Sequence, residues 1–209
     1  MMQNEHIHAP QRWKILPISI LPLLGSLGVR TCAMIAGVAV AAVAASLATA
    51  PNIGGVLASG LALVSIAIAV IDARIFIIPD ELNVAGLILG LAYAGFSDQP
   101  VLDAIAAAAL RGLVLALIFL AVRAAYQRLR GRQGIGLGDV KLASVAGVWL
   151  DWPMIPIAVQ IATVTALGVY LTRQLAGGRS IRSTSRLPFG LFLAPAIWLG
   201  WILDQWLIV

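Results

Sequence analysis

The amino-acid sequence predicts an all-α, polytopic membrane protein with six or seven transmembrane helices. Hydrophobic residues make up 61% of the 209 positions and charged residues only 11%, and the mean hydropathy is +0.98. A soluble domain carries about 25% charged residues. The deficit of charge therefore excludes an ordinary soluble protein and favours a helical membrane protein.

Seven apolar runs, separated by short polar or proline-containing breaks, are the candidate helices. Each run except 139–150 approaches the roughly 17–25 residues that a spanning helix needs. The runs fall at about 31–49, 55–71, 82–97, 101–123, 139–150, 154–172 and 187–207.

The residues before the first run differ in composition from the rest of the chain. Residues 1–14 are mostly polar, and residues 15–29 hold two prolines and two glycines, which indicates an interfacial segment or a broken helix. We therefore expect an N-terminal cytoplasmic or interfacial segment at 1–30 and a membrane-embedded domain at 31–209.

The lysines and arginines predict which ends of the runs face the cytoplasm. If the N-terminus is cytoplasmic, thirteen of the fourteen basic residues fall in or beside inside loops, and only Arg111, within a run, does not. Positive residues concentrate on the cytoplasmic side of membrane proteins. This rule also explains the net charge of +5 without a nucleic-acid partner. It assigns Asp72 and Asp139, 67 positions apart, to the same cytoplasmic side.

The fifth run is too short for a straight crossing. Twelve positions separate Asp139 from Asp151, about 18 Å of helix, whereas the hydrocarbon core is about 30 Å thick. One end must be recessed, and we expect Asp139 to lie below the cytoplasmic surface in a hydrated cavity. A charged group at that depth is costly, which makes it a candidate functional residue.

Two acidic stretches flank the predicted helix ends. Asp72 closes the second run, and Pro79-Asp80-Glu81 follows it. Pro79 stops a helix and Asp80 can cap the next one. Asp72 can equally be a helix-end residue that pairs with Arg74, so the stretch alone leaves both interpretations open.

The second acid, Asp139, directly follows Gly138, and Gly136 lies two positions before that glycine. Gly136 and Gly138 permit backbone conformations and close approaches that other residues forbid. Asp139 then stands at a helix start, where it can act as a cap as well as a reactive group. Lys141 does not share a helix face with Asp139, so we interpret it as an interface anchor or as a charge near substrate.

Two carboxylates brought together in a partly dry cavity share a proton, because both cannot ionise comfortably. One can then take a proton from water while the other polarises a peptide carbonyl, as in aspartic proteases. This chemistry needs no metal and no cofactor, and we assign neither. Both histidines, His6 and His8, precede the membrane region, and the chain has a single cysteine, Cys32.

Three stretches, in this order, resemble the signature regions of prepilin (type IV leader) peptidases, which are membrane aspartic proteases of the Gly-x-Gly-Asp type. The resemblance covers about residues 60–205. The three stretches are Asp72 with Pro79-Asp80, GIGLGDVKLASVAGVWLDW at 134–152 and LPFGLFLAPAIWLGW at 187–201.

The resemblance implies that Asp72 and Asp139 are the catalytic pair. It also implies cleavage at the cytoplasmic face, just before the hydrophobic helix of a prepilin or pseudopilin. Long bacterial members carry two Cys-x-x-Cys pairs and methylate the new terminus. With one cysteine, this chain resembles the short, peptidase-only members.

The remaining site predictions concern residues that shape the site or bind substrate. Pro188, Phe189 and Gly190 form either a helix-start turn near the site or only a break before the last run. Asp80 and Glu81 can attract a basic leader peptide. The glycines Gly136 and Gly138 and the side chain of Lys141 complete the set.

We therefore expect an inner-membrane, multi-pass endopeptidase whose partners are pilin-like precursors and the lipid bilayer, with the oligomeric state left open. Archaeal preflagellin, or remnants of signal peptides, are alternative substrates. An ion- or proton-coupled transporter that uses the same two aspartates is an alternative from another class, although no internal repeat supports it. A non-catalytic scaffold for pilus assembly is a third alternative.

Overall fold

The computed structural model describes residues 28–97, 99–131, 134–177 and 188–207, and those ranges contain helices and no strand. The predicted all-α class is therefore confirmed. The predicted N-terminal segment lies almost wholly outside the described residues, as do both histidines. The helices are α1 (Val29–Thr49), α2 (Ile53–Ile75), α3 (Asp80–Gly95), α4 (Val101–Arg130), α5 (Leu137–Trp149), α6 (Met154–Gly177) and α7 (Phe189–Leu207).

Five of these helices, α1, α2, α4, α6 and α7, are long and apolar enough to cross a membrane. The protein is therefore a multi-pass membrane protein. The other two runs form the shorter helices α3, of 16 residues, and α5, of 13 residues. At 1.5 Å per residue α5 is about 20 Å long, well short of the hydrocarbon thickness.

The short helix α5 occupies the middle of the bundle, where it packs against α3, α4 and α7. Eight of its thirteen residues are buried. Trp149 donates its indole N–H to the carbonyl of Gly86 in α3 at 2.9 Å. Because its surroundings are protein rather than lipid, α5 does not need to span the bilayer to be stable.

Small residues allow α5 and α4 to approach each other closely. A Cβ added at Gly147 would lie 2.6 Å from the carbonyl oxygen of Arg111, and one added at Gly112 would lie 2.9 Å from that of Ser144. Helix pairs in membranes commonly pack through such small residues, because they bring the two backbones into contact. This crossing fixes the depth of α5.

Arg111, the one basic residue outside the predicted charge pattern, has a specific role at this crossing. Its guanidinium pairs with Asp151 at 3.2 Å and donates to the carbonyl of Gly147 at 3.3 Å. Asp151 follows the C-terminal end of α5, opposite the end that carries Asp139. Arg111 therefore pairs with an exposed acid just past the end of α5, which explains why it departs from the topology signal.

Three helix ends meet at one end of the bundle, which we call the carboxylate end: the C-terminal end of α2 and the N-terminal ends of α5 and α7. α2 stops at Phe76, which adopts a left-handed conformation with φ of 55°. The backbone N–H of Phe76 donates to the backbone carbonyl of Asp72 at 3.0 Å. The chain then crosses to α3 through Ile77, Ile78 and Pro79. This crossing places Ile78 between the starts of α5 and α7.

The close approach at Gly147 predicts that even a methyl group is harmful there. Gly147→Ala should lower the stability by about 1–3 kcal/mol, because overpacking forces the two backbones apart. Thermal unfolding in detergent measures the loss. Gly168→Ala is the matched control, since a Cβ at Gly168 in α6 meets no atom within 4 Å and alanine favours helix. Equal melting temperatures for the two variants would contradict the role of this crossing.

Candidate active site

Asp72 lies on the last turn of α2 and is 5% exposed. Its Oδ2 atom accepts a hydrogen bond of 2.9 Å from the backbone N–H of Leu191, in the first turn of α7. The first N–H groups of a helix have no partner within the helix. The carboxylate therefore caps α7 from a position 119 residues earlier in the chain.

Gly190 makes this cap possible. A Cβ at Gly190 would lie 3.0 Å from Oδ2 of Asp72 and 2.7 Å from Cδ1 of Ile78. α7 begins at Phe189, directly after Pro188. The structure thus puts the stretch predicted as a helix-start turn in contact with Asp72, and Phe189 itself is half-buried there.

Asp139 occupies the first turn of α5 and is half-buried. Its Oδ2 atom accepts a hydrogen bond of 3.0 Å from the N–H of Gly136, the N-cap residue of α5. Burial raises the pKa of the Asp139 carboxyl, and the nearby negative charge of Asp72 raises it further, whereas the Gly136 hydrogen bond and the positive charge of Arg123 lower it. The structure therefore confirms that Asp139 takes part in capping α5, and its catalytic role stays a prediction.

Ile78 joins the two halves of the site. A Cβ at Gly138, next to Asp139, would lie 3.0 Å from Cβ of Ile78, and Gly190 contacts the other end of the same side chain. Ile78 is 7% exposed. The starts of α5 and α7, and with them the helix ends that carry Asp139 and hold Asp72, thus pack against the same isoleucine.

Arg123 of α4 supports the loop that precedes Asp139. Its guanidinium donates to the carbonyl of Ile135, within the glycine-spaced turn. In the sequence, Arg123 serves only as one of the basic residues that predict the membrane orientation. Nothing in the local sequence indicates this bond, because it depends on how far α4 extends past α5.

Asp80 and Glu81, the predicted acidic residues, begin α3 at the carboxylate end of the bundle. The structure differs from the sequence-based interpretation in the cap of α3. Asp80 was expected to cap α3, and this is wrong: Pro79 occupies the N-cap position without a side-chain bond. Asp80 instead pairs with Lys141 at 2.6 Å, and both side chains are largely exposed. Glu81, also exposed, follows in the same turn. An exposed pair of this kind contributes about 0.2–1 kcal/mol, so it is readily exchanged for another partner.

These features define a multi-pass membrane protein that holds two carboxylates at one end of a helical bundle, each fastened by a backbone N–H. The model of the type IV leader peptidase family matches residues 59–171, a range that includes both carboxylates. The chain belongs to this family.

Curated relatives agree with the family match. The chain is similar to proteins named prepilin leader peptidase/N-methyltransferase from Aeromonas hydrophila, with 32% identity over 80% of this chain and 55% of the relative, and from Burkholderia pseudomallei, with 33% identity over 69% and 45%. A protein of the same name from Dickeya chrysanthemi is 35% identical over 66% and 47%. The chain thus spans about half the length of these relatives. No solved structure matches it.

The position of Arg123 predicts a change in the titration of Asp139. Arg123→Gln removes a positive charge, so the pKa of the Asp139 carboxyl should rise. Carbodiimide labelling, which modifies the protonated acid, should then persist to higher pH at Asp139, as read by mass spectrometry. Arg123→Lys should restore most of the wild-type profile, and Arg128→Gln, further along the exposed end of α4, should leave it unchanged. An unaltered Asp139 profile in Arg123→Gln would refute the coupling.

Proposed function

We propose that this chain is a membrane aspartic endopeptidase that removes the basic leader peptide from type IV prepilin or pseudopilin precursors. The observation that carries the proposal is that the helix starts at Asp139 and at Gly190, which adjoins Asp72, pack against the same Ile78, close enough for the charge of Asp72 to act on Asp139. Membership of the type IV leader peptidase family supports the same reaction.

The geometry suggests how the two carboxylates divide the work. A backbone N–H fixes one oxygen of each, from Leu191 for Asp72 and from Gly136 for Asp139. We propose that the second oxygen of each carboxylate is the one that meets water and substrate. A pair that shares one proton contains a base, which deprotonates the attacking water, and an acid, which polarises the scissile carbonyl and later returns a proton to the leaving amine.

The charge distribution supports a cytoplasmic orientation for this site. The basic residues of the described helices gather at the carboxylate end, whereas Arg111 is paired near the opposite end. By the positive-inside rule the carboxylate end faces the cytoplasm, and in a bacterium that membrane is the inner one. The basic residues at the carboxylate end are Arg30, Arg74, Arg123, Arg128, Arg130 and Lys141.

Substitution of either carboxylate tests the proposed reaction. Asp72→Asn and Asp139→Asn keep the size of the side chain and an acceptor oxygen for the backbone N–H, but they remove the acid–base function. Each should lower cleavage of a co-expressed prepilin by at least about 100-fold, as read from the shift of the pilin band. Membrane levels of both variants should match wild type.

Full processing by either asparagine variant would show that the pair is misassigned, and Asp80 would be the next candidate. The same assay separates the other classes of protein. A transporter or a scaffold would leave the precursor uncut in the wild type as well.

We further propose that Asp80 and Glu81 attract the basic leader. Lys141 competes with the leader for Asp80. Asp80→Lys with Glu81→Lys should therefore raise KM, whereas Lys141→Gln should lower it, each by about 2–10-fold and less at high salt.

Cleavage kinetics at low and high ionic strength measure both effects. The matched control is Asp103→Lys, because Asp103 is an exposed acid in the first turn of α4, at the opposite end of the bundle. If KM responds equally to the control, or not at all to the α3 changes, the leader is not recognised at these acids.

A further inference from the structure

An apolar groove of about 490 Å³ runs between α1, α2 and α7, apart from the carboxylates themselves. Its walls are almost wholly apolar. Met34 and Val38 contribute from α1, Ile66 and Ala73 from α2, and Leu191 and Trp198 from α7.

The groove exists because α1 is attached mainly at one end. Near the end opposite the carboxylates, Trp198 of α7 donates its indole N–H to the hydroxyl of Ser46 at 2.9 Å, and Ser46 is fully buried. Toward the carboxylate end α1 loses contact with its neighbours: Val38 is 58% and Met34 72% exposed. α1 therefore borders a lateral opening beside α2 and α7.

The groove reaches residues that adjoin Asp72. Ala73, the residue after Asp72, and Leu191, the residue whose N–H holds Asp72, both line it. Along α1 the lining extends from Thr31 to Ala42, about 16 Å or three helical turns. An apolar surface of that length thus leads directly to a carboxylate.

We propose that this groove binds the apolar helix that follows the cleavage site of a membrane-inserted precursor. The inference rests on the proposed peptidase function and adds the surface that recognises its substrate. The occupant must be apolar over three turns and must place a polar backbone segment at Asp72. A peptide helix with its scissile bond just before its first turn meets both requirements, whereas a lipid acyl chain meets only the first.

The proposal fixes the direction of the bound helix. α1 and α7 both begin at the carboxylate end, and α2 ends there. A helix whose N-terminal end reaches Asp72 therefore runs parallel to α1 and α7 and antiparallel to α2. The small side chain of Ala73 on α2 is exposed and lines the groove, and it allows a partner backbone to approach closely, in a helix-in-groove mode of recognition.

Site-specific photocrosslinking tests this placement. A benzoylphenylalanine at Met34 or Val38 would be introduced into the full chain carrying Asp139→Asn, in membranes that contain a complete prepilin. We expect crosslinks to the precursor, mapped by mass spectrometry to the first three turns after the cleavage site. Val40 is the matched control: it is 70% exposed and lies two positions on, on another face of α1.

Equal crosslinking from Val38 and Val40 would overturn the inference, and so would crosslinks confined to phospholipid. If the wild-type chain cleaves the precursor and the groove positions do not crosslink, the groove is not the recognition surface while the peptidase function stands. If the wild-type chain leaves the precursor uncut, the peptidase function fails, and the crosslinks report separately whether an apolar helix binds.

A groove-filling variant provides a second measurement. Val38→Trp should raise KM for the complete prepilin about tenfold with little change in kcat, as expected when binding common to ground and transition states is lost. Val40→Trp should leave both constants at wild-type values. An unchanged KM in Val38→Trp would contradict helix binding in the groove.

Discussion

The hydrogen bond from the Leu191 N–H to the Asp72 carboxylate is the contact on which the arrangement of this protein depends. Inside a membrane an unpaired helix-start N–H and an unpaired carboxylate are both costly. Each satisfies the other here, across 119 positions of sequence. The bond fixes the start of α7 against the end of α2, and the site and the groove are both consequences of that junction.

The second carboxylate reaches the same junction because α5 is short and enclosed. Gly147 lets α5 lie against the backbone of α4, while Gly138 and Gly190 close on Ile78. A longer α5 or a bulkier residue at these glycines would shift Asp139 along the bundle axis. The capping role and the proposed reactive role of the two aspartates therefore depend on each other: the N–H groups that stabilise the helix starts also orient the carboxylates.

The proposed mode of recognition follows from an unequal attachment of α1. The Trp198–Ser46 hydrogen bond holds this helix at the end far from the carboxylates, and Met34 and Val38 in its other half are exposed. A lateral opening at the level of Asp72 suits a substrate that is itself embedded in the bilayer, because such a substrate can approach sideways without leaving the lipid. The exposed charged side chains of α3 and α5 are available to bind the polar segment that precedes the helix of the substrate.

The sequence by itself determined the membrane class, the helices in the described residues and the gathering of Asp72 and Asp139 at one end. Apolar run length and the distribution of basic residues are local properties, and local properties are sufficient for these conclusions. Only the tertiary structure decided that Leu191 holds Asp72, that Ile78 packs against the starts of both α5 and α7, that Asp80 pairs with Lys141 instead of capping α3, and that a groove reaches the residues beside Asp72. These features depend on the rotation and depth of packed helices, which residues far apart in the chain fix together.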